Sequence, residues 1–259
     1  MTDERSDGNE LGKDTDPELD ARLARKRFLG SAALAASAAA LAACRPPMRS
    51  FRERKFGKLV YPVLTPQQYD YAGMMKKLRV ATPHKQLFPA TAAAVQPQTD
   101  IATLYLHMQF AMNGLEFSLP DTHQRLATLG VLSGSSVIFA LNDTMWRSYG
   151  LGERFGLATT NIYYPATSNL DPSASPNDSR GLYQDWSAQA VIRRGGSFMV
   201  CHNALTYFAV DCAIRKDRNA RVVMEVWLGN MLPGFSIVPS GITAIYLAAE
   251  NGWQIYPAL

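Results

Sequence analysis

From about residue 80 onward, the apolar positions of this chain alternate between two periodicities. Short apolar runs bounded by turn residues read as strands: 85–88, 136–141 (Ser-Val-Ile-Phe-Ala-Leu), 197–201 (Ser-Phe-Met-Val-Cys), 235–238 (Phe-Ser-Ile-Val) and 253–256. Between them lie segments of helical spacing. The longest, 101–117, places Leu104, Met108, Ala111, Met112 and Leu115 on one face. Further helices are expected at 67–78, 144–149, 183–194, 203–214, 222–231 and 241–250, the last stopped by Asn251-Gly252. Strands that alternate with helices predict an α/β domain, a three-layer sandwich around a mainly parallel sheet of about five strands. One stretch, 158–183, fits neither period. It is rich in Asn, Asp, Pro and Ser and reads as a long loop, a length that is often functional.

The first 44 residues have another pattern. Residues 1–27 are polar and free of aromatics; an apolar, Ala-rich run of 16 residues follows and ends at Cys44. A spanning helix needs roughly 20 predominantly apolar residues, so the run fits the short core of an export signal. Arg25-Lys26-Arg27-Phe28-Leu29-Gly30 is similar to a twin-arginine (Tat) signal, with Lys in place of the second Arg. Leu41-Ala42-Ala43-Cys44 is similar to a lipobox, which implies acylation of Cys44 and a membrane-anchored protein of the periplasm or cell envelope. The expected organisation is therefore a signal at 1–44, a basic linker with a packing helix at 45–80, and an α/β domain at 81–259.

Composition changes this picture little. The 259 residues are 47% hydrophobic and 19% charged, a globular balance large enough for a core without disulfides. Charge adds one feature. Arg45, Arg49, Arg52, Arg54, Lys55 and Lys58 fall close together against a single acid, Glu53. Beside a lipid anchor this stalk would lie on anionic headgroups; a solvated linker is the other reading. The domain has no basic stripe interleaved with aromatics, so nucleic acid is not an expected partner.

Candidate chemistry follows from the strand ends, because open α/β sheets bind ligands beyond the carboxyl ends of their strands. The 136–141 run delivers Asn142 and Asp143, 197–201 delivers Cys201, His202 and Asn203, and 235–238 delivers Ser240 and Gly241. Cys201 also precedes a helix, whose N-terminus favours the thiolate, and a protonated His202 would help. Against this stands a thiol that simply packs in the sheet. Asp143 reads as a base or as a helix cap, Cys212 as core, and His107 as a packing residue. With a helix between them, Cys201 and Cys212 are two separate thiols. Tyr163, Tyr164, Tyr183 and Trp186 line a lid or cover the sheet. No zinc spacing, phosphate loop, dinucleotide fingerprint or nucleophile elbow is present, so no metal or cofactor is expected.

Three segments carry a family resemblance: Gly-Gly-Ser-Phe-Met-Val-Cys-His-Asn-Ala-Leu at 195–205, Leu-Pro-Gly-Phe-Ser-Ile-Val-Pro-Ser-Gly at 232–241, and Glu-Asn-Gly-Trp at 250–253. With the 101–117 helix and the 136–141 run, residues from about 83 onward resemble the DsrE/DsrF-like superfamily, and in particular a Tat-exported subgroup. The resemblance implies a compact α/β domain that forms homo-oligomers. In sulfur-transferring members a Cys after the third strand carries a persulfide, and Cys201 falls at that position. The expected function is therefore handling of sulfur, or of a small thiol-reactive ligand, through Cys201, with a sulfur donor or envelope protein as partner. If the chain is an enzyme, it is sulfurtransferase-like; a non-enzymatic binding or scaffold protein is the alternative. The 158–183 insertion is not typical of the small sulfur-relay members, and export would separate this chain from their cytoplasmic partners.

Overall fold

The computed structural model describes residues 60–119, 126–165 and 171–257. The chain divides into two units, 1–60 and 61–259. All elements below belong to the second. The export signal, Cys44 and the basic stalk lie outside the described residues.

A five-stranded sheet forms the centre: β1 (Lys85–Ala90), β4 (Ala127–Leu132), β5 (Ser197–Cys201), β6 (Phe235–Val238) and β7 (Gln254–Ile255). Its order is β6-β5-β4-β1-β7 and every pairing is parallel. A separate antiparallel pair, β2 (Val95–Gln96) and β3 (Ile101–Ala102), follows β1. Alternation along the strands sends side chains to two cores. Phe88, Leu132, Phe198 and Val200 face one core, and Leu87, Leu129, Val131 and Met199 face the other.

The first core is covered by α2 (Thr103–Asn113), α3 (Asp143–Tyr149), α4 (Leu151–Phe155), α5 (Ala188–Arg193), α6 (His202–Arg215) and α7 (Ala220–Gly229). The second is covered by α1 (Tyr71–Leu78) and α8 (Gly241–Glu250). The molecule is thus α/β, a parallel five-stranded sheet flanked by helices on both faces. Asp70 starts α1 by accepting from the Gly73 amide at 2.8 Å, so this helix begins four residues later than the 67–78 pattern suggests.

One expected strand is absent. Residues 136–141 do not form one; Gly134–Ala140 is a 3-10 helix. The strand precedes it, at Ala127–Leu132. Ser133 and Gly134 turn the chain at the end of β4. Gly134 has φ +53° and Ser133 closes a capping box with Ser136, whose hydroxyl also donates to the Ala90 carbonyl at 2.7 Å. The apolar run then lies buried beside β5 and α6 rather than within the sheet.

The 158–183 stretch is irregular in its described parts, ending at a short 3-10 turn, Leu182–Gln184. A polar cluster fixes its return. Gln109 on α2 donates to the Leu182 and Asp185 carbonyls, and Asn113 donates to the Tyr183 carbonyl at 2.9 Å. Arg194 crosses to Gln109, Asn113 and Glu116, and its guanidinium lies 4.9 Å from the Tyr183 ring centre.

Candidate functional site

Strands β5 and β6 are neighbours, yet the helices after them leave on opposite faces. α6 packs on the first core and α8 on the second. Both helices start from the carboxyl ends of neighbouring strands, the edge of the sheet at which open α/β folds bind ligands. Cys201 ends β5 and Gly241 begins α8 at this point.

Cys201 is 7% exposed. Its extended backbone (φ −66°, ψ 111°) makes it the N-cap of α6, and its Sγ accepts from the Ala204 amide at 3.4 Å. A second helix start lies against it. A Cβ at Gly241 would stand 3.2 Å from the Cys201 Cβ and 3.1 Å from that of Ser133. Glycine is what lets α8 approach this closely. The Cys201 side chain thus sits at the amide end of α6 and against the first residue of α8. Ser240, the N-cap of α8, makes no side-chain capping bond.

His202 is 6% exposed and lies on the first turn of α6, with Nδ1 at 3.5 Å from the Thr206 hydroxyl. Burial pushes its pKa down, so the imidazole is held neutral. The protonated His202 expected beside the thiol is therefore disfavoured. His202 lines a cavity of about 410 Å³ together with Leu64, Gln68, Tyr69, Asp70, Leu228 and Ile237. Next along α6, Asn203 has a buried Oδ1 with no hydrogen-bond partner.

Asn142 and Asp143 do not join this edge, because the run before them is not a strand. Asn142 caps α3 through the Met145 amide at 3.1 Å and donates to Asn230 Oδ1 at 2.9 Å. Asp143 accepts from the Asn161 amide at 2.8 Å and pairs with Arg147. Asn161 in turn donates to the Phe139 and Leu141 carbonyls. Together they anchor the start of the long loop, and no short-range motif announces the role of Asn161.

Cys212 is a free, buried thiol like Cys201, separated from it by helix α6. Eleven residues of helix span roughly 16 Å, too far for a bridge. Burial pushes the Cys212 thiol up, against the pull of Arg215, whose Nη2 donates to it at 3.0 Å. His107 packs edge-on to Tyr256, and its Nδ1 is buried without a partner.

The loop aromatics cover the first face rather than the thiol. Burial, with the hydrogen bond that Tyr163 donates to Asp100 at 2.9 Å, pushes its pKa up to about 12. Tyr164 donates to the Pro233 carbonyl, Tyr183 packs on Phe117, and Trp186 on Phe110. Among the described residues, no three His, Cys, Asp or Glu side chains group as metal ligands, and no helix is long and apolar enough to cross a membrane.

Comparison with protein-family models, with curated proteins and with solved structures returns no match.

Proposed function

We propose that this chain is an exported, DsrE-like carrier of sulfane sulfur, with Cys201 as the carrying thiol. The observation that carries the reading is the position of Cys201: a sulfur at the carboxyl end of β5, held by the first-turn amide of α6, with Gly241 of α8 packed against its Cβ. The transfer is a displacement. The Cys201 thiolate attacks the outer sulfur of an organic persulfide, the donor S–S bond breaks, a Sγ–S bond forms, and the donor leaves as a thiolate that takes up the proton. No net oxidation occurs. The α6 amides and the Asn203 side chain stabilise the charge, and the thiol proton passes to solvent, from which the departing donor thiolate recovers one. In this reading the Tat-type signal exports the chain, a lipid on Cys44 and the basic stalk hold it to an envelope membrane, and the domain works as a homo-oligomer that meets its sulfur donor there.

The test is uptake of sulfur from a small organic persulfide, read by mass on the folded protein. The expected result is one added sulfur on the peptide containing Cys201, lost in Cys201→Ser. Equal uptake by Cys201→Ser sinks the proposal.

The near-complete burial of Cys201 supports a second reading, a non-enzymatic binding or scaffold protein in which this thiol is packing. Cys201→Ala would then leave partner binding unchanged.

A further inference from the structure

The opposite, amino edge of the sheet holds another cavity, of about 410 Å³. That is within the range of small-molecule sites, roughly 300–1,000 Å³. Its walls have two characters. Ala111, Leu115, Leu119 and Leu126 form an apolar side; His84, Lys85, Gln86 and Gln254 form a polar one, at the starts of β1 and β7. Among the described residues, no Asp or Glu lines it.

Lys85 supplies the charge. Its ammonium donates to the Asn251 carbonyl at 2.7 Å, and among the described residues no carboxylate lies within ion-pair range of it. An ammonium has three donors, so two remain for a ligand. The amides of Gln86 and Gln254 make no side-chain hydrogen bond to described residues and add neutral donors beside it.

The apolar side has an irregular origin. α2 ends in a π-helical turn, Gly114–Ser118, a local widening that recurs at functional sites. Leu115 belongs to this turn, and Leu119, just after it, is half exposed at the rim.

We infer that this cavity binds an amphipathic monoanion: a short alkyl chain along Ala111, Leu115, Leu119 and Leu126, with a carboxylate at Lys85. The site lies at the other edge of the sheet from Cys201 and is independent of sulfur transfer.

The test is calorimetric titration of the full chain, in detergent-free buffer, with octanoate, octylamine and octan-1-ol. Octanoate binds saturably at one per chain, and the amine and the alcohol bind at least about tenfold more weakly. Lys85→Met lowers octanoate affinity by about tenfold or more. Gln254→Glu, an exposed position that a charge does not unfold, weakens octanoate and strengthens octylamine. Cys201→Ser leaves all three unchanged. Equal binding of octanoate and octylamine, full affinity in Lys85→Met, or no effect of Gln254→Glu overturns the assignment, as does the absence of octanoate binding.

Discussion

Gly241 brings the start of helix α8 against Cys201, so close that a methyl group there would stand 3.2 Å from the Cys201 Cβ. Neither neighbouring atom is the free end of a flexible chain. Both are Cβ atoms, of Cys201 on β5 and of Ser133 just after β4. Gly241→Ala must therefore shift α8 by a few tenths of an ångström. Alanine ordinarily favours a helix over glycine, but Gly241 is the first helical residue, where that gain is small. Overpacking wins, and the expected loss is about 1 kcal/mol. A lower urea midpoint at unchanged slope is the readout; an unchanged or raised midpoint would show that α8 has room to move.

Arg194 is the hub that pins the end of the long loop. Its side chain is 4% exposed and bonds Glu116 at 2.9 Å, besides Gln109 and Asn113. Removing it leaves two amides and a carboxylate without their donor. Arg194→Ala is expected to cost about 3 kcal/mol, the lower end for a broken buried pair because Glu116 keeps some contact with water. Arg194→Lys recovers only part of this, since an ammonium cannot reproduce the guanidinium fork. Denaturant unfolding of both variants, with proteolysis between 171 and 186 as a local readout, checks the ranking.

Burial lowers the His202 pKa below its ordinary value of 6.5. The folded protein then binds fewer protons than the unfolded chain. Stability is accordingly full above about pH 6.5 and falls as the pH drops through that value. His107 is shifted in the same direction, also by burial. His202→Gln should flatten part of the slope between about pH 8 and pH 5, leaving the share of His107. Urea unfolding across that range decides it; an identical slope in His202→Gln would assign the whole effect elsewhere.

Much of this architecture was legible in the sequence, for local reasons. Strands 197–201 and 235–238 stand between Gly-Gly and Pro-Ser-Gly signals, so their ends, and with them Cys201 and Gly241, could be placed correctly. The strand Ala127–Leu132 was not legible, because Gly130 interrupts its apolar run. That glycine answers a tertiary demand: a Cβ there would meet the Phe198 ring at 2.6 Å. The 136–141 run failed for the opposite reason. A short continuous apolar segment looks the same in a strand and in a buried 3-10 turn. Misreading it carried Asn142 and Asp143 to the wrong edge and hid Ser133, which the structure puts beside Cys201. The partner of Asp143, Asn161, is 18 residues away, and only the fold brings the two together.

A carrying role for Cys201 requires its thiol to react in the folded protein. The most direct measurement is the rate of iodoacetamide labelling of Cys201 under native conditions, in a Cys212→Ser background, compared with the rate of global unfolding. Labelling far faster than unfolding is expected, with a thiol that reacts at the end of β5 without the fold opening. Labelling only at the rate of global unfolding would contradict that role and make Cys201 part of the core.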